Sequence, residues 1–145
     1  MNKDYDPRMH TAEHILNGTM AKMFERGRAF SAHIEKKKSK CDYRFDRDLT
    51  EDERRAIENK VNEVISQNLA VYEKFIARSE AENIFNLERL PEGTGDEIRI
   101  INVGDYDACP CIGPHVSNTS EIGRFSIISS SFENGVMRLR FKLKD

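Results

Sequence analysis

Cysteine is scarce in this 145-residue chain: there are three, an odd number. That is too few for a disulfide framework, so the thiols read as core, metal or catalytic groups. Long apolar runs are missing as well. Nothing approaches the ~20 residues needed to cross a bilayer. No basic-then-apolar leader opens the chain, so the expected location is cytoplasmic. A strong positive balance is also lacking. The formal net charge is −2, which excludes a global field that gathers nucleic acid and leaves only local basic patches for that purpose. Internal repeats, low-complexity tracts and an interdomain linker are absent. Residues 1–145 therefore read as one domain, long enough to bury a core.

Histidine is rare too, with four copies, yet three of them fall in two spaced pairs. His10 and His14 stand four apart in Met9-His10-Thr11-Ala12-Glu13-His14. Cys111 and His115 stand four apart in Cys111-Ile112-Gly113-Pro114-His115. Imidazole and thiolate are the donors zinc prefers, and four of them complete a tetrahedron. No carboxylate cluster accompanies the pairs, which disfavours magnesium or calcium. Glu13 directly precedes the second histidine, so the His-Glu-x-x-His mechanism of zinc proteases is not inherited. Cys109 is either a further candidate ligand or a spare thiol.

Pattern places these residues. Pro7 suits a first helical turn, and Met9, Ala12, Leu16, Met20, Met23 and Phe24 make one apolar stripe over residues 7–26. In that helix His10 and His14 share a side; Gly27 follows as the stop. Residues 30–34 and 40–45 read as strands around a polar turn. Thr50 and Glu53 form a capping box for a second long helix to about residue 68, and Ser79 with Glu82 a box for a short helix through Phe85. Residues 91–95 read as a turn. Strands are expected at 70–77, 97–103, 124–130 and 135–143, and Pro110 argues against regular pairing between the two cysteines. In the last strand Met137, Leu139, Phe141 and Leu143 alternate with Arg138, Arg140 and Lys142. The order predicts an α+β fold, two main helices packed on an antiparallel-rich sheet.

The motifs carry a resemblance. His-Thr-Ala-Glu-His-Ile-Leu (residues 10–16) resembles the opening motif of the alanyl-tRNA synthetase editing domain. Cys111 to Gly123 resembles its Cys-Gly-Gly-Thr-His-Val motif and the Ile-Gly that follows. Arg44-Phe45-Asp46 resembles an Arg-Phe-Asp strand, and Leu49-Thr50 with residues 57–62 resembles an intermediate helix. The likeness runs nearly end to end. It implies the editing fold shared by threonyl- and alanyl-tRNA synthetases, in a freestanding protein of the AlaX type. It further implies hydrolysis in trans of mischarged aminoacyl-tRNA, serine or glycine on alanine tRNA, with His10, His14, Cys111 and His115 as ligands of Zn2+. The Ile112-Gly113-Pro114 form is closer to threonyl-type editing sites. Metal-independent editing of seryl-tRNA(Thr) is thus an alternative, and a zinc-stabilised tRNA-binding module without hydrolysis is another.

For the chemistry, Glu13 or Glu121 is the candidate base. Thr11, Ser117, Asn118 and Thr119 flank the ligand pairs and are candidates to bind the amino acid or ribose, with His33 lining the cleft. Two basic groups, Lys36, Lys37, Lys38 and Lys40, and Arg138, Arg140 and Lys142, are candidate contacts to the tRNA acceptor end. Phe30 or Tyr43 is expected to stack the terminal adenine.

Overall fold

The computed structural model describes residues 6–87, 90 and 95–144. Helix α1 spans Pro7–Phe24. Asp6 caps it by accepting the Arg8 N–H at 2.9 Å, and Pro7 fills the first turn, where its missing N–H costs nothing. The helix ends two residues short of expectation. Glu25 takes the left-handed conformation at φ 56°, and its N–H closes on Ala21 O.

Helix α2, Glu51–Ser66, has the predicted capping box. Glu53 N–H donates to Thr50 Oγ1 at 3.1 Å, and Thr50 N–H donates to Glu53 Oε1 at 2.9 Å. Ile57, Val61, Val64 and Ile65 form its buried stripe.

Strands β1 (Ser31–His33), β2 (Ser39–Arg44), β6 (Arg124–Glu133) and β7 (Val136–Lys144) form one antiparallel sheet in the order β1-β2-β7-β6. The β6–β7 turn is Asn134-Gly135, both at positive φ, the backbone that a tight hairpin requires. Strands β3 (Val71–Ala77), β4 (Glu97–Val103) and β5 (Asp107–Pro110) form a second antiparallel sheet in that order. The chain is therefore α+β, with its strands divided between two sheets. The division has a consequence for α1. Thr11 to Met20 are all buried, rather than one stripe, because the core joins this helix to α2 and to residues of both sheets.

Two local readings change. Pro110 does pair, opposite Ile100. It is the last residue of an edge strand, where a missing N–H leaves the ladder intact. Ser79 does not cap α3, Arg78–Ile84, because the helix starts at Arg78 and Ala77 is its N-cap. Strand β3 runs straight into this helix, and the Arg78 N–H is taken by Asp96 O at 2.7 Å. The turn expected at 91–95 lies, apart from Gly95, outside the described residues. No helix among the described residues is long and apolar enough to cross a membrane.

Candidate metal centre

His10 and His14 project from the first half of α1, one turn apart. Cys111 and His115 come from the loop that leaves β5. Among the described residues these four form the group whose donor atoms lie within 4.8 Å of one another. Cys111 Sγ is 3.5 Å from His10 Nε2 and 3.5 Å from His115 Nε2. In a tetrahedral zinc site with ordinary bond lengths, sulfur and nitrogen donors lie about 3.5 Å apart. The three imidazoles are packed together, with ring centroids 4.3–5.0 Å apart. Donor chemistry and spacing both fit a zinc ion.

The surroundings hold this geometry. Thr11 Oγ1 has one hydrogen, and it goes to Pro7 O at 2.9 Å. The same oxygen meets His115 Nδ1 at 2.9 Å and accepts the Val116 N–H at 3.3 Å. With its proton already given, the hydroxyl accepts from Nδ1–H, so the lone pair of His115 lies on Nε2, which faces Cys111. Partners of this kind fix the tautomer of ligating histidines. Burial, with His10 and Arg99 nearby, pushes the His115 pKa down to about 3. Its imidazole is therefore neutral, the form that ligates.

Arg99 latches the loop, with Nη1 donating to Gly113 O at 2.8 Å and Cys111 O at 3.2 Å. Its Nε donates to Glu73 at 2.6 Å. Gly113 N–H points at Cys111 Sγ from 3.4 Å.

Three of the four, His10, His14 and Cys111, form part of the wall of a cavity of about 640 Å3, which Glu13, Arg28, Phe30, Asn86 and Ile112 also line. Glu13 is buried, with Oε1 3.4 Å from His10 Nε2. Asn17 orients it by donating to Oε2 at 3.2 Å. The Asn17 carbonyl in turn accepts Ala29 N–H at 3.0 Å and the Tyr43 hydroxyl at 2.8 Å. Arg28 forks onto Asp107 at 2.6 and 3.1 Å. Burial opposes the Arg28 charge, but Asp107, with Cys109 and Glu13, more than offsets it, so its pKa is raised. Asp107 also lies 4.0 Å from His14 Nδ1. It sits against Gly18, where a Cβ would come within 2.8 Å of its carboxylate.

The remaining candidates are distributed as follows. Cys109 lines the cavity but stands outside the four-donor group, and burial pushes its thiol up to about 11. Glu121 accepts Ser117 N–H, Ser117 Oγ and Asn118 N–H at 2.8–3.1 Å, bonds that hold its pKa low and close a cap on the 3-10 turn Thr119–Glu121. Asn118 caps the same turn. The Thr119 hydroxyl donates to Ile65 O at 2.9 Å. Ser117, Asn118, Thr119 and Glu121 thus build the joint between α2 and β6, and none lines the cavity. His33 is exposed on β1 beside Glu35.

Lys36, Lys37 and Lys38 lie exposed in the β1–β2 turn. Arg138 forks onto Asp42 at 2.7 and 3.0 Å; Arg140 meets Ser129 and Ser131 at 3.2 and 3.4 Å. The expectation for Tyr43 is overturned. It is 1% exposed with its hydroxyl on Asn17, so it stacks on no ligand. Phe30 is 38% exposed and lines the cavity.

Sequence reading passes over Asn17, Gly18, Arg28, Arg99 and Asp107. Asn17 alone carries a local signal, standing four residues after Glu13 on one helix. The Arg28–Asp107 and Arg99–Gly113 contacts are made by the fold.

Residues 98–139 match the family described as the threonyl and alanyl tRNA synthetase second additional domain. An alanine-tRNA ligase of Aeropyrum pernix is 36% identical over 143 residues, covering 95% of this chain and 16% of that protein. One from Fervidobacterium nodosum is 36% identical over 134 residues, 91% of this chain and 16% of that protein. A third, from Methanopyrus kandleri, is 31% identical over 138 residues, covering 92% and 15%. The chain thus spans about one-sixth of the length of the curated relatives it matches. Over nearly its whole length the chain is thus similar to one segment of alanine-tRNA ligases, and within it residues 98–139 match the second additional domain of threonyl and alanyl tRNA synthetases.

Proposed function

We propose that this chain hydrolyses, in trans, the ester joining a wrong amino acid to the terminal ribose of tRNA, serine or glycine on alanine tRNA. The observation that carries the reading is the convergence of His10, His14, Cys111 and His115 into one donor group, three of whose members, His10, His14 and Cys111, line a cavity large enough for an aminoacyl nucleoside. Zinc held by these four residues would act there as a Lewis acid toward the ester carbonyl.

The chain's own groups supply the rest. Glu13 faces the cavity with one oxygen toward His10 and the other held by Asn17. It accepts the proton of the attacking water as oxygen adds to the carbonyl, and returns it to the departing ribose oxygen. Thr11 acts through His115, keeping its ring in the ligating tautomer. Arg28 and Asn86 give the cavity polar groups able to pair with a serine hydroxyl, the kind of contact that separates serine from alanine.

A second reading rests on the donor count. Four protein ligands close a tetrahedron, as structural zinc sites do. On that reading the domain binds tRNA and the metal only holds it together. A panel of seryl-tRNA(Ala), glycyl-tRNA(Ala) and seryl-tRNA(Thr), with metal content measured on the same sample, separates the cases. Release from alanine tRNA that disappears on chelation and returns with zinc supports the deacylase. Unfolding on chelation with no turnover on any substrate supports the binding module. Undiminished release from seryl-tRNA(Thr) after metal removal overturns the zinc-dependent reading.

A further inference from the structure

The outer face of the four-stranded sheet carries a charge segregation that the metal centre does not use. Strand β7 turns Met137, Leu139 and Phe141 inward, and β2 turns Cys41 and Tyr43 inward. The alternate residues stand on the other face. Register sets Lys40 beside Arg140, Asp42 beside Arg138, and Arg44 beside Val136. Lys142 and Lys144 extend the row along β7, and β6 sets Ser129 and Ser131 beside Arg140 and Arg138. Asp42 is committed to Arg138. Arg140 meets only hydroxyls among its hydrogen-bond partners on β6, so its charge is not matched there by a carboxylate. This face is basic in a chain whose net charge is −2.

The face also joins the cavity. The Phe30 N–H donates to Asp42 O at 3.0 Å. The Phe30 ring lines the cavity and carries the Arg44 guanidinium 3.9 Å from its centroid. One end of the basic row therefore stands against a residue of the cavity wall. From the Arg44–Val136 pair to Lys144 the row follows β7 for about 26 Å at a strand rise of about 3.3 Å per residue.

We propose that this face is the docking surface for the phosphate backbone of an RNA whose 3′ end enters the cavity at Phe30, with Lys40, Arg140 and Lys142 giving most of the charge and Arg138 little. The proposal deepens the deacylase reading and rests on it for the identity of the RNA, a tRNA acceptor arm.

The test is fluorescence anisotropy of a labelled RNA hairpin with a single-stranded 3′ overhang and no amino acid, titrated with the whole chain at several salt concentrations. Lys40→Glu with Arg140→Glu is expected to weaken Kd at least tenfold and to reduce the salt slope by about two, one for each lost contact. Arg55→Glu on α2 is expected to leave both unchanged. Lys40→Gln with Lys142→Gln, a milder pair, shifts Kd the same way and covers the case in which reversal harms folding. Equal Kd for wild type and the sheet variants overturns the proposal. So does tighter binding to phosphatidylserine vesicles than to the hairpin. Hydrolysis of 3′-O-seryl-adenosine by the wild-type chain is read separately. That ester has no phosphate, so its failure counts against the deacylase reading and leaves the RNA result standing.

Discussion

Thr11 and His115 lie 104 residues apart in the chain and share a hydrogen bond of 2.9 Å. That contact ties the helix carrying one candidate ligand pair to the loop carrying the other. Thr11→Val keeps the shape and removes the acceptor. Zinc affinity, measured by competition with a chromophoric chelator, is expected to fall about 10- to 100-fold, as for other lost partners of ligating histidines. Thr11→Ser restores the hydroxyl and should come back near wild type.

Arg99 holds two carbonyls of the ligand loop at once. In Arg99→Ala both half-buried carbonyls lose a charged donor, a loss of about 1–3 kcal/mol. Arg99→Lys keeps the charge but not the planar fork, so it is expected to rescue little. Thermal melting with and without zinc checks this: the zinc-dependent gain in Tm should shrink in both variants.

Gly18→Ala reverses the usual sign. In an ordinary helix interior alanine is favoured over glycine by about 1 kcal/mol. Here the new Cβ would stand 2.8 Å from Asp107 Oδ1, and overpacking of this kind costs about 1–3 kcal/mol. Urea denaturation should show the variant less stable than wild type. A more stable variant would mean that the Arg28–Asp107 pair yields easily.

Glu53 carries an acid-dependent share of stability. The Arg47 hydrogen bonds, then the Thr50 N–H, lower its pKa to about 2. A depressed folded-state pKa gives stability that is complete above the unfolded value near 4.5 and is lost as pH falls toward 2. The pair faces solvent, so screening limits the whole effect to about 0.5–1 kcal/mol. Glu53→Gln is expected to lose that amount at pH 7 and almost none at pH 2, by urea titration at both.

The parts legible in the sequence were those set by local spacing. His10 and His14 needed only a helix, and Thr50 with Glu53 only three residues of separation. Cys111 and His115 kept ligand spacing within one loop. What stayed hidden depends on which elements meet. Pro110 reads as a strand breaker until β5 is seen to be an edge. Tyr43 has a ligand-stacking side chain but its position buries it against Asn17. Ser117 to Glu121 are polar and close to His115 in sequence, yet they serve a capped turn beyond the cavity. Arg28 and Asp107 are 79 residues apart, and no local pattern pairs them.

The strand order β1-β2-β7-β6 sets the timing of folding. Strand β7 comes last of the seven strands among the described residues, yet it is an interior strand, bonded on one side to β2 and on the other to β6. During synthesis β1 and β2 emerge early and wait, with one edge unpaired, for residues about a hundred positions later. Pairings this distant in sequence close slowly. Cys41 and Tyr43 lack their cross-strand neighbours Leu139 and Met137 over the same interval, so the nascent chain is most open to aggregation or chaperone capture just before β7 arrives.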